Sequence, residues 1–260
     1  MSGRLRVTFL GTGTSQGVPM VGCGCQVCRS ADERDRRSRC SLYMETDEAA
    51  WVIDTGPDFR TQCLRWGVSR VDAALFTHPH TDHIMGFDDL RPFSSGGRSI
   101  DVFGSTSTLD VLARVFSFAF SAETRFPGYL HPVRRDVSSA FEMGGLRVDP
   151  VWLPHGRMVT TGYIFSRQGR RLFAYMTDCS EVPEEAVRLA AGAEHIVVDG
   201  LREREHPTHM TYDEACESLN RMGAGTGWLT HLCHDFRHVE VESRLPDGVR
   251  VAYDGLVLEI

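Results

Sequence analysis

Lysine is absent from this chain: all 28 basic residues are arginine. That excludes a Schiff-base lysine and a phosphate loop of the GxxxxGK[ST] kind, because both need a primary amine. No run approaches the roughly 18 consecutive apolar residues of a membrane span. The opening MSGRLRVTFLG holds no apolar stretch long enough for a secretion signal, so a cytoplasmic protein with no membrane partner is expected. Repeats, low-complexity tracts and long linkers are also missing, and 1–260 reads as a single domain. Positive charge is in deficit, with a net charge of −7, which argues against a broad nucleic-acid surface.

What is present begins with a substantial core, since 42% of the residues are hydrophobic. Short apolar runs that end in Gly or a polar residue read as strands: RLRVTFLG, AAWVID, DAALFTH, GLRVDPVWLPH, TGYIFS, RLFAYMTD, HIVVDG and GWLTH. VRVAYDGLVLEI reads as a closing hairpin with Asp254 and Gly255 at its turn. Helices are predicted at TLDVLARVFSFAF, at PEEAVRLAAG with Pro183 in the first helical position, and at TYDEACESLNRMG. In the last of these Thr211 and Glu214 form a capping-box pattern and Gly223 a stop. Alternating strands and helices point to an α/β or layered α+β architecture.

Four strands share one design. ALFTH, VWLPH, AYMTD and GWLTH each end a buried run on one potential metal ligand: His78, His155, Asp178 and His231. Ligands at the ends of strands that share direction converge on one rim. Asp54 and Asp199 close WVID and IVVD in the same way and could orient a ligating histidine instead. HPHTDH adds His80, Asp82 and His83 directly after His78. A catalytic zinc takes about three protein ligands plus water, so these seven groups suit two ions rather than one. A natural division gives His78, His80 and His155 to one ion and Asp82, His83 and His231 to the other, with Asp178 bridging.

HPHTDH resembles the HxHxDH motif of the metallo-β-lactamase fold superfamily, and His155, Asp178 and His231 follow in the expected order. The resemblance spans nearly the whole chain. It implies an α+β four-layer αββα sandwich with a two-metal hydrolase site along one edge, and the ligand division owes part of its warrant to it.

Eight cysteines in a chain of cytosolic character read as ligands or buried thiols rather than disulfides. Three of them, Cys23, Cys25 and Cys28 in GCGCQVC, have a CxCxxC spacing that lets thiolates wrap one small ion. Cys40, Cys233 and His234 are candidates for the fourth ligand of a tetrahedral zinc. FLGTGTSQGVP, GCGCQVC and THLCHDF together resemble the cyclic phosphoribosyl phosphodiesterases of the carbon–phosphorus lyase pathway and their relatives. That resemblance implies a structural zinc on Cys23, Cys25, Cys28 and His234. It also implies a histidine near the substrate phosphate, for which His209 in HPTHMTYDEA matches better than His206. His131, His195, His206 and His238 read as satisfied surface residues.

GTGTSQG departs from the dinucleotide fingerprint GxGxxG and reads as a tight turn. RSADERDRRSRC, with five arginines against three acids, reads as a solvated loop from which one arginine could meet a phosphate. The expected function is a dinuclear phosphodiesterase that attacks a small cyclic or nucleotide-like phosphodiester with a metal-bridging hydroxide. Its two active-site ions would be zinc or manganese, with a third, structural zinc in the cysteine cluster. Asp82 and His209 are the candidate catalytic residues, Asp54 the best candidate to orient a ligand histidine by a hydrogen bond and Asp254 a weaker one. The alternatives are a tRNA-processing nuclease, a thioester or lactam hydrolase, and a non-catalytic metal-binding scaffold. A homodimer is compatible with the sequence.

Overall fold

The computed structural model describes residues 3–260 apart from 122, 124, 125 and 127. Successive side chains of a strand point to opposite faces, and this alternation sorts the apolar residues into layers. In β1 (Arg6–Gly11), Val7 and Phe9 face one way and Leu10 the other. Leu42 and Met44 oppose Tyr43 in β2 (Ser41–Glu45), and Trp51 and Ile53 oppose Ala50 and Val52 in β3 (Ala50–Ile53). Leu75 opposes Ala74 in β4 (Ala73–Leu75), and β5 (Ile100–Gly104) and β6 (Pro132–Asp136) complete this side of the first sheet.

The second sheet runs through β7 (Phe141–Met143), β8 (Leu146–His155), β9 (Met158–Arg167) and β10 (Arg170–Met176). It continues with β11 (His195–Asp199), β12 (Thr226–Thr230) and β13 (Val249–Val251). Tyr163, Phe173, Tyr175, Val197 and Trp228 turn towards the first sheet, while Ile164, Ala174, Val198 and Leu229 turn away. A side chain the size of Phe9 or Phe173 contributes roughly 1.5–3 kcal/mol when fully buried, so this shared interior is a main source of cohesion between the sheets.

Helices cover both outer faces. α1 (Phe59–Trp66), α2 (Thr81–Ile84), α3 (Thr106–Val115) and α4 (Ser117–Phe120) pack Phe59, Ile84, Leu109, Leu112 and Ala119 on the first sheet. α5 (Glu184–Ala190), α6 (Tyr212–Met222) and α7 (His238–Glu242) pack Ala186, Leu219 and Val241 on the second. Three apolar cores between helix, sheet, sheet and helix make the expected four-layer αββα sandwich. The Thr211–Glu214 capping box and the left-handed Gly223 bound α6 as the sequence suggests.

Three expectations need correction. The closing segment is no hairpin: β13 pairs with β12, whereas β14 (Val257–Glu259) pairs with β1 in the other sheet. Ala252 N–H donates to Leu229 O and Gly255 N–H to Phe9 O, so the two arms bond to different sheets rather than to each other. The helix predicted over 108–120 breaks at Phe116, whose φ of −109° and ψ of 42° turn its ring onto Phe87, 4.9 Å between centroids. Pro183 is the residue before the helix rather than its first member.

Topology makes the rim. β10, β11 and β12 run parallel, and β8 shares their direction because both β8 and β10 are antiparallel to β9. β3 and β4 are likewise parallel. The residues that end these strands therefore collect along one edge of each sheet.

Candidate metal centre

Buried strand ends deliver the first ligands. His78 follows β4, His155 ends β8, Asp178 follows β10 and His231 follows β12, and all four are buried. The HPHTDH segment turns into α2 at Thr81, which lets Asp82 and His83, adjacent in sequence, both face inward. Two hydrogen bonds fix this turn against the loop after β3: Thr55 N–H to His83 O and Gly86 N–H to Thr55 O, each 2.8 Å. Gly56 permits the approach, since a Cβ there would lie 2.1 Å from Asp82 O. Asp54 and His231 both hold φ near 62°, a left-handed backbone that is uncommon outside glycine and is seen here at two site residues.

Seven side chains fall into the two expected groups. His78, His80 and His155 bring nitrogens within 4.8 Å of one another, as do the ligand atoms of Asp82, His83, Asp178 and His231. Asp178 Oδ2 lies between the groups, 3.7 Å from His78 Nε2, 3.3 Å from His83 Nε2 and 3.2 Å from His231 Nε2. Two ligands held tetrahedrally at 2.0–2.1 Å from a zinc-sized ion sit about 3.3–3.4 Å apart, so these spacings fit atoms sharing an ion. His83 Nε2 and His231 Nε2 are buried without a hydrogen-bond partner, as ligand atoms would be.

Hydrogen bonds from behind set the tautomers. His83 Nδ1 donates to Asp54 Oδ2 at 2.7 Å, and Asp54 is itself held by Thr77 N–H and Thr77 Oγ1. His155 Nδ1 donates to Thr208 O at 2.8 Å. In each ring Nε2 is left for the ion. Asp254 does not play this part: it accepts from Thr12 Oγ1, Ser38 N–H and Ser38 Oγ, and so holds loops rather than a histidine.

Electrostatics divide the rings the same way. Burial pushes His78, His80 and His155 below the usual histidine range and keeps them neutral, which is the ligand form. Burial would also lower His83 and His231, but Asp178 chiefly, helped by Asp54 and Asp82 at His83, outweighs it and raises both well above that range. Burial opposes ionisation of Asp82 and Asp178 too, yet the same two imidazoles hold both carboxyls well below theirs. A cation in this group would meet two ionised carboxylates.

His209 stands beside the cage with its ring stacked on His231, centroids 4.7 Å apart. Its Nδ1 donates to Asp199 Oδ2 at 2.6 Å, and Asp199 also accepts from Cys179 N–H. Asp199, left open by the sequence as ligand or orienting group, thus orients His209, and atoms of both residues approach Asp178 and His231 within 4.8 Å. The cage opens into a cavity of about 440 Å³ lined by Ser15, His80, Asp82, Arg157, Asp178 and His209, among others. Arg157 and Ser15 carried no signal in the sequence, because each belongs to a short turn whose position against the cage comes only from the fold.

The second candidate cluster also assembles. Cys23, Cys25, Cys28 and His234 bring their ligand atoms within 4.8 Å, while Cys40 is buried elsewhere against Thr230. His234 Nδ1 lies 3.5 Å from Cys23 Sγ and 3.4 Å from Cys25 Sγ, near the about 3.5 Å of sulfur and nitrogen sharing one tetrahedral zinc. Burial opposes the Cys25 thiolate, but hydrogen bonds from Cys28 N–H and His234 bring its pKa down to about 6. Burial and the neighbouring sulfurs push Cys28 up to about 11. One ready thiolate crowded by others is a group that a cation relieves.

Other expectations shift. Of the five arginines in RSADERDRRSRC none lines the cavity, and Arg37 is buried rather than solvated, donating to Thr12 Oγ1, Ala252 O and His238 Nδ1. His238 is satisfied but buried, and His206 is half-buried beside His209, 5.0 Å between ring centroids. His195 accepts from Trp228 Nε1 as a satisfied histidine. Thr14–Gly17 is the expected tight turn, closed by Gly17 N–H to Thr14 O. No helix among the described residues is long and apolar enough to cross a membrane.

Comparison with known families decides the lineage, because residues 51–232 match the model of the β-lactamase superfamily domain. This chain belongs to the β-lactamase superfamily. It has the metallo-β-lactamase fold, and its likeness extends to the PhnP-like group. A crystal structure of a diphosphatase from the PhnP family is 38% identical, with a TM-score of 0.90 over 99% of this chain and 97% of that one. An octanoyltransferase of Porphyromonas gingivalis is 36% identical over 97% of this chain but only 51% of its own length, so the chain spans about half of that relative. A ribonuclease Z of Bradyrhizobium diazoefficiens is 30% identical over 75% of this chain and 62% of that one.

Proposed function

We propose that this β-lactamase superfamily member hydrolyses a small phosphodiester or diphosphate, using two divalent ions, zinc or manganese, in the histidine and aspartate cage. His78, His80 and His155 would hold one ion and Asp82, His83 and His231 the other, with Asp178 shared. The observation that carries this reading is the position of Asp178 Oδ2, 3.2–3.7 Å from imidazole nitrogens of both groups. Two such ions would supply a water ionised near neutral pH as nucleophile and would neutralise charge on the phosphoryl oxygens.

The remaining steps fall to the chain itself. Arg157, at the cavity wall, has no ion pair or hydrogen bond among the described residues and is free to meet a phosphoryl oxygen. Asp199 fixes the His209 ring through Nδ1 at the cavity wall, and its Nε2 would hand a proton to the leaving oxygen. Cys23, Cys25, Cys28 and His234 would hold a structural zinc that fixes the loop next to this wall.

The PhnP-family diphosphatase supports this reading over the ribonuclease one, because the likeness to it covers almost all of both chains. The test is turnover of cyclic and linear phosphodiesters, a diphosphate diester, a tRNA precursor, a thioester and a lactam, with zinc and manganese supplied separately. Activity on the phosphorus compounds with about three metals per chain is expected. Turnover confined to the thioester, the lactam or the tRNA would overturn it.

A further inference from the structure

A second cavity, of about 270 Å³, adjoins the first: Ser15 and His209 line both. Its walls carry Gln16, Arg202, Arg204 and His206, and its far side is His234 of the cysteine cluster. Arg202 is held in place, with Nε donating to Arg204 O at 3.1 Å and Nη2 to Glu205 O at 3.0 Å, and it makes no ion pair among the described residues. Arg204 reaches Asp235, also in this wall, at 3.4 Å, so the uncompensated charge here is that of Arg202. His206 Nδ1 accepts from Thr208, which leaves Nε2 for the cavity. A half-buried guanidinium already tied to backbone carbonyls loses little freedom on meeting an anion, and two further polar side chains beside it suit phosphate oxygens.

The geometry points to this second cavity as the subsite for an anionic leaving group, with Arg202 the residue that selects a diphosphate diester over a phosphodiester whose leaving group carries no second anion. The inference rests on the phosphodiesterase reading and sharpens it. His209, on the boundary of the two cavities, places the departing oxygen on the side of Arg202. Water oxygen bonds to the attacked phosphorus, and the bond from that phosphorus to the bridging oxygen breaks with its electron pair remaining on the bridging oxygen. One proton of the water stays with each of the two phosphomonoesters, the leaving one receiving its proton through His209 Nε2. Arg202 would then neutralise the charge released on the departing phosphomonoester.

The metal-loaded chain is assayed with ADP-ribose, whose leaving group is a phosphomonoester, and with bis(4-nitrophenyl) phosphate, whose leaving group has no second anion. The reading is the ratio of the two kcat/KM values. Arg202→Gln is expected to lower this ratio at least about tenfold, mainly through KM for ADP-ribose. Because Arg202 also ties down local backbone, His206→Asn, which leaves those ties intact, should lower it about threefold. A ratio unchanged in folded variants would overturn the subsite. Should the wild-type chain hydrolyse neither compound, the phosphodiesterase reading fails separately, and calorimetric titration with ADP-ribose decides the subsite. Binding at least fivefold weaker in Arg202→Gln supports it, and no difference from wild type, including no binding by either, ends it.

Discussion

The two candidate ion sites are built in opposite ways. The histidine and aspartate cage hangs from the ends of four strands in two sheets, and its side chains are almost all buried and braced from behind by Asp54, Thr77 and Thr208. The cysteine cluster lies on a loop of half-exposed residues, closed at its base by the Val18–Arg37 backbone pair and met at its tip by His234. One site is shaped by the sandwich and offers its ion a finished geometry. The other leaves its thiols half-exposed, and its ion would supply order that burial does not.

The largest test of this contrast is Asp178→Ala. If both ions lean on this one carboxylate, the variant should lose at least one active-site ion and about a thousandfold or more in turnover, measured by metal analysis and kcat. The cysteine cluster should keep its zinc. Full metal content and turnover would show that Asp178 bridges nothing.

Cys25→Ser attacks the other side of the comparison, with a smaller effect expected. Metal content should fall from about three ions per chain to about two, and activity on the order of tenfold, since the loop borders the leaving-group wall rather than the cage. Loss of all ions together would mean that the two sites are not independent.

How far these sites could be read from the sequence follows the same division. HPHTDH and the strand ends at His155, Asp178 and His231 were legible because a ligand that terminates an apolar run must lie on a sheet rim. The layers were legible from alternation, as in Trp51 against Val52. The final crossover was not, because Val251 and Leu258 alternate identically whether their strands pair with each other or with separate sheets. Arg37 was hidden too: five arginines in a polar run look solvated, and only the pairing with Val18 turns this one inward. The Asp199–His209 contact depends on a loop path that no local pattern encodes.

The smallest expected effect concerns the base of the cysteine loop. Burial, and then the neighbouring Arg37 guanidinium, bring the His238 pKa down to about 4. An unfolded histidine binds its proton near 6.5, so between those values unfolding takes up a proton and stability falls as pH drops. His238→Gln should remove on the order of 2 kcal/mol of this loss, seen as a flatter dependence of urea stability between pH 7 and 4.5. An unaltered slope would show that the base of the loop does not sense protonation at His238.

The last crossover carries a consequence for the reaction centre, which it never touches. Because β13 and β14 fasten one sheet to the other, a seam more than 15 residues beyond the last cage ligand His231 joins the shared core in holding the Asp54–His83 half against the Asp178–His231 half. Loosening that stitch, for example by shortening the turn at Gly255, would let the jaws of the site drift apart while every ligand remained in place on its own strand.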